Sequence, residues 1–185
     1  MDKLFICFNA FLLLFIFLGG GLNKITNFQD TANFLKAKVN AIQLNPIFMA
    51  AIIITIIYFY IIIFYIQTNN VYLFMLISVA IAGIPFLAYF KKYLNQYKAL
   101  VSFIYDAAIA GVIGLLTFGS LLILYSLYTS KYEEYAYIAT IGLAVFTAMT
   151  ILIFHFPTNK SEIISFTKNL SIFGGLMLLS QRFVK

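Results

Sequence analysis

Long apolar runs alternate with short polar breaks along the whole chain. Leu4–Leu22, Ile47–Ile66, Val71–Phe90, Leu100–Tyr128, Ile138–Phe156 and Ile163–Gln181 are the apolar runs. At 1.5 Å of rise per residue, about 20 such residues cross a hydrocarbon core of about 30 Å. The runs are apolar all round and lack the one-sided 3.6-residue period of a helix facing water, as expected of helices that face lipid or one another. They are rich in Ile, Phe and Tyr, which also suit strands. A membrane barrel, however, needs segments of about ten residues alternating polar and apolar, and that alternation is absent. The pattern predicts an all-α integral membrane protein, a six-helix bundle forming one polytopic domain over residues 1–185.

The breaks shape this reading. Gly19–Gly21 ends the first run with small residues of the kind that follow a signal peptide, but the run is long enough to span and is read as a retained helix. Asn23–Asn45 is a polar connector in which Asp30–Val39 is expected as a short interfacial helix. Pro46 opens the second span where the first amide needs no intrahelical partner. Gln67–Asn70 is expected as a tight turn, Lys91–Lys98 as a basic loop, and Thr129–Tyr135, with Lys131, Glu133 and Glu134, as a solvated loop. Gly83 and Pro85 predict a kink in the third span. In the fourth, Ala107 with Gly111 and Ala110 with Gly114 have the four-residue spacing that lets another helix approach closely.

Composition sharpens the membrane assignment. Hydrophobic residues make up 63% and charged residues 10%, against about half and a quarter in ordinary soluble domains. The net charge is +6, but the lysines are dispersed among loops without the basic stripe of a nucleic-acid binder. Lys24, Lys36, Lys38, Lys91, Lys92, Lys98, Lys160 and Lys168 follow or precede spans on one side, against Lys3, Lys131, Arg182 and Lys185 on the other. The positive-inside rule then places both termini outside the cytoplasm or matrix. With no Trp, the 13 Tyr serve as interfacial anchors. Cys7 and His155 are each the only residue of their kind, so an internal disulfide, a multi-histidine metal site and a bis-histidine haem are excluded within one chain. No catalytic residue, metal or cofactor is assigned to this chain alone.

Candidate chemistry lies in the few polar groups inside or at the ends of spans. Asn23 and Lys24 close the first, Asp106 sits about two turns into the fourth, His155 ends the fifth, and Lys168 with Asn169 lies early in the sixth. Odd spans end and even spans begin on one membrane face, so all six residues share a depth. An ionised side chain in hydrocarbon costs about 2.5–3.5 kcal/mol on insertion scales and seeks a partner or a cavity. Asp106 with Lys24 or Lys168 is the expected pair, beside an imidazole able to exchange a proton near neutrality. Such a cluster suits the oxygens of a quinone headgroup, or a lipid headgroup.

At these same positions the sequence resembles the DoxX family of small membrane proteins, which includes the DoxD-type subunit of quinol oxidase and thiosulfate:quinone oxidoreductase. One matching stretch is Phe17-Leu18-Gly19-Gly20-Gly21-Leu22-Asn23-Lys24-Ile25 followed by Phe28-Gln29. The other is Phe154-His155-Phe156, then Ile164-Ser165-Phe166-Thr167-Lys168-Asn169-Leu170 and Gly174-Gly175-Leu176-Met177-Leu178-Leu179. Family members have four spans with an acidic residue in the second; here that residue resembles Asp106, and residues 47–98 would be an inserted hairpin on a four-helix DoxX-like core. The resemblance implies a membrane subunit of a quinone-linked respiratory or oxidoreductase complex, with quinone as the ligand of the shared pocket and redox subunits as partners. Its location would be a bacterial or archaeal plasma membrane or a mitochondrial inner membrane. The alternative expectation is a structural accessory subunit of a large respiratory complex with no chemistry of its own.

Overall fold

The computed structural model describes residues 3–67, 70–94, 96–157 and 160–184. Part of the turn expected at Gln67–Asn70 and part of the connection after Pro157 lie outside the described residues. The fold is all-α: α1 (Lys3–Thr26), α2 (Phe28–Ala41), α3 (Pro46–Ile61), α4 (Val71–Leu94), α5 (Lys98–Gly114), α6 (Ser120–Thr129), α7 (Glu133–Phe154) and α8 (Ile163–Ser180). A π-helical segment, Leu115–Gly119, joins α5 and α6 into one span. Six stretches are long and apolar enough to cross a membrane: Lys3–Thr26, Pro46–Phe64, Val71–Leu94, Lys98–Thr129, Glu133–Phe154 and Lys160–Phe183.

Two expected loops are helical. Lys91 and Lys92 belong to the last turn of α4, where free carbonyls favour cations, and Lys91 Nζ donates to Asn40 O at 2.9 Å. Glu133 and Glu134 form the first turn of α7, where the helix dipole favours anions. Pro85 lies inside α4 without ending it.

Helix starts are locally encoded. Asn45 Oδ1 accepts from Phe48 N at 2.8 Å ahead of Pro46, and Asn70 Oδ1 accepts from Leu73 N at 2.9 Å. Each side chain satisfies an amide that the first turn leaves unpaired. Asn45→Ala is therefore expected to lower stability by about 1 kcal/mol, read as a shifted midpoint of denaturant unfolding in detergent; an unshifted midpoint would refute the cap.

The arrangement is organised around α7, whose most apolar stretch is 56% buried against 17–28% for the other spans. Small side chains on α7 explain the close approach of its neighbours: Ala136, Ala139, Ala144 and Ala148 are all buried. Its buried hydroxyls are satisfied within the helix, Thr140 donating to Ala136 O and Thr147 to Leu143 O, as a hydrocarbon surround requires. α8, α6 with the π segment, α3 and α4 all pack on α7, and Phe17 of α1 meets Phe146 edge-on. α1 in turn packs on α5, α6 and α8. Phe173 of α8 meets Tyr58 and Phe59 of α3.

α4 and α5 converge only near their short connection, where Leu87 and Leu94 meet Val101, Tyr105 and Val39. α2 covers this end. Phe28, Ala32, Leu35 and Val39 turn one side inward while Gln29, Asp30 and Asn33 stay exposed, the pattern of a helix lying at a membrane surface. It spans more than the expected Asp30–Val39 and packs on α4, α5 and α7.

Candidate functional site: a lateral cleft along α7

Beyond their shared end α4 and α5–α6 diverge, and a cavity of about 950 Å³ lies between them. Its floor is one stripe of α7, running through Ile138, Gly142, Val145, Met149 and Ile153, the i, i+3, i+4 spacing of a single helix face. Breadth comes from small side chains on three helices: Ala80 of α4, Ala108 and Gly111 of α5, and Ala139 of α7. Phe34, Leu76, Ala108, Gly111, Tyr135 and Ile138 line it and are also exposed, so the cavity opens sideways from the bundle. At this size it falls within the range of cofactor and ligand sites, about 300–1,000 Å³.

Polar groups gather at the end beneath α2. Lys24 from α1, Thr31 and Lys38 from α2, His155 and Glu162 all line the cavity there. His155 follows the last residue of α7, its amide still donating to Ile151 O. Glu162, at the start of α8, lies back against it, with Glu162 Oε2 at 2.9 Å from His155 Nδ1. Both side chains are about one-third exposed. Aromatic rings frame the group: Phe34 stacks on Phe154 at 5.5 Å, and Lys38 Nζ lies 5.4 Å from the Phe34 ring centre, a cation–π contact. Two ammonium groups thus line this end together with a single carboxylate, which is engaged by the imidazole.

Of the six residues expected to converge, the cavity gathers Lys24 and His155. Asn23 is exposed on the last turn of α1, where its Oδ1 and O accept from Asn27 Nδ2 at 2.9 and 3.0 Å and shape the corner into α2. Asp106 accepts from Ser102 Oγ at 3.4 Å on its own helix. Lys168 is exposed and Asn169 half-buried on α8, neither lining the cavity. Among the described residues no ion pair joins Asp106 to Lys24 or Lys168; the carboxylate beside the imidazole is Glu162. Parity along the chain sets depth but not direction around the bundle: α5 packs on α1 and α2, whereas α8 packs on α7.

The small-residue pairs of α5 are also reassigned. A side chain added at Gly111 or Gly114 would meet nothing within 4 Å, so neither marks a tight crossing within the chain. The tightest glycine crossing is at Gly21 of α1, against Thr117 and Leu116 of the π segment, followed by Gly142 of α7 against Leu115.

Glu162, Lys38, Phe34 and Phe154 were not singled out as site residues by sequence. The available signal was the seven-residue step from His155 to Glu162 across Pro157, which lets the chain turn back on itself. Among the described residues no group of three or more His, Cys, Asp or Glu side chains could hold a metal ion. No protein-family model, curated protein or solved structure matches this chain.

Proposed function

We propose that this chain is a DoxX-like membrane subunit of a quinone-linked respiratory or oxidoreductase assembly, and that a long-chain quinone occupies the cleft between α4 and α5–α6. One observation carries the reading: the cleft is mostly apolar along α7, with Tyr135 at its far end, and its charged groups Lys24, Lys38, His155 and Glu162 gather beneath α2. An isoprenoid quinone divides in the same way, with its oxygens on one ring and a hydrocarbon tail beyond. In this reading the tail lies on the α7 stripe, entering sideways from the bilayer, and the ring rests beside Phe34, Phe154, Lys24 and His155. The electron carrier would belong to a partner subunit; this chain's share is to bind and orient the quinone.

The test uses the full chain in lipid nanodiscs with a short-tailed benzoquinone bearing a photoreactive group. Saturable labelling on α2 and the α7 stripe is expected, competed by unlabelled quinone. Labelling scattered over the outer faces of α1 and α3, or none, would refute quinone binding. Purification from native membranes in mild detergent tests the assembly: a partner carrying haem or flavin should co-elute, and a colourless solitary chain would refute it.

The two ammonium groups at the cleft mouth favour a second reading, a structural accessory subunit holding an anionic phospholipid there. Stoichiometric phospholipid retained through purification and undisplaced by quinone would select it.

A further inference from the structure

We propose that the cleft recognises the reduced, hydroxyl-bearing form of its ligand, through a free acceptor nitrogen of His155 that Glu162 positions. This rests on the quinone reading and adds the redox state of the molecule bound.

The inference follows from which ring nitrogen is occupied. A carboxylate can only accept a hydrogen bond, and a neutral imidazole carries its one proton on a single nitrogen. With the ring neutral and Glu162 ionised, the 2.9 Å contact from Nδ1 to Glu162 Oε2 places that proton on Nδ1. Nε2 is left with a lone pair, and among the described residues nothing bonds to it. His155 and Glu162 both line the cleft. An acceptor presented to a ligand discriminates in one direction: a hydroquinone hydroxyl can donate to it, whereas the carbonyl of an oxidised quinone would set two lone pairs against each other. The ammonium groups of Lys24 and Lys38, the other charges lining this end, donate to either form and do not distinguish them.

The same geometry serves oxidation of the bound molecule. As the ligand's O–H bond breaks, its proton forms an N–H bond at Nε2, and Glu162 stabilises the resulting imidazolium across Nδ1–H. One electron leaves with that proton, to a one-electron carrier in the partner subunit, and gives the neutral semiquinone radical. The second electron and proton follow the same route after Nε2 has released the first proton to solvent, and no electron passes through the imidazole. Glu162 is a positioning residue here, touching His155 and not the ligand.

Because His155 is the only histidine, labelling all histidine with ¹⁵N reports on this ring alone. In nanodiscs near neutral pH the wild-type ring is expected with its proton on Nδ1, and Glu162→Gln should populate the Nε2–H form. Affinity for a short-tailed hydroquinone, kept reduced, should exceed that for the matching quinone by about tenfold, the factor a single hydrogen bond of about 1.4 kcal/mol supplies. His155→Phe should lower hydroquinone affinity more than quinone affinity and so remove the preference, and Glu162→Gln should reduce it. Equal affinity of the wild type for both forms, an Nε2–H or cationic ring in the wild type, or a preference untouched by His155→Phe would each overturn the proposal while leaving quinone binding intact. Binding of neither form would overturn it together with the function on which it rests.

Discussion

Gly111→Phe is expected to weaken quinone binding about a hundredfold, the equivalent of about 2.7 kcal/mol, while leaving the stability of the bundle unchanged. A side chain at this position starts in open space, with nothing within 4 Å of its first carbon, and the glycine lines the cleft. A benzyl group there fills volume that the tail would use, without displacing a neighbour. Ala108→Phe, one turn earlier on the same side of α5 and also lining the cleft, should act in the same direction. The informative control is Gly174→Phe on α8, which likewise meets nothing within 4 Å but lies outside the cleft. Titration with the short-tailed quinone and a thermal melt of each variant separate blocked binding from unfolding. Retained affinity in Gly111→Phe, in a protein that melts like wild type, would show that the cleft is not where the quinone sits.

Gly21→Val is expected to have the largest effect on stability, lowering it by about 3 kcal/mol, at the upper end of overpacking penalties. Its first carbon would fall 2.6 Å from Thr117 Cγ2 and 3.2 Å from Leu116 Cβ. Neither neighbour is a flexible chain end. Thr117 is β-branched and stiff about its first torsion, and its hydroxyl is tied to Ile113 O at 2.7 Å. The milder Gly21→Ala should be partly rescued by Thr117→Ser, which deletes the offending methyl and keeps the hydroxyl. Failure of that pair to restore the melting temperature would mean that α1 does not cross the π segment here.

The contrast between these two glycines shows what sequence could and could not disclose. Span positions were legible because they follow from hydrophobic length alone, and α2 in part, as the shorter helix expected over Asp30–Val39. Depth was legible as well: Lys24 and His155 do share one end of the bundle. Direction around the bundle was not. Asp106 and Lys168 lie early in even-numbered spans, yet which neighbours those spans choose is set by packing on α7, through contacts distant in sequence. A cleft is harder still to read, since it is a place where side chains are missing. Ala80, Ala108, Gly111 and Ala139 come from three helices and look, taken singly, like residues that let helices touch. Gly21 does that and Gly111 does not, though both sit in apolar runs with glycine nearby. The helical first turn at Glu133 and Glu134 was missed for a different reason, because charged residues at a span end read as loop unless the helix dipole is considered.

The central position of α7 also bears on how the protein is made. Ribosomes deliver the chain from its N-terminus, so α1, α3, α4 and α5–α6 enter the bilayer before the helix on which they converge has been synthesised. Until Glu133–Phe154 emerges, α1 leans chiefly on α5–α6, and the α3–α4 hairpin touches the earlier chain chiefly through α2. Side chains destined for the interior, such as Leu14, Phe59 and Ile81, must meanwhile face acyl chains, which solvate them well enough to wait. Arrival of α7 then converts a loose set of inserted helices into a single body, and a chain that stalls before it would be inserted, lipid-soluble and without a centre.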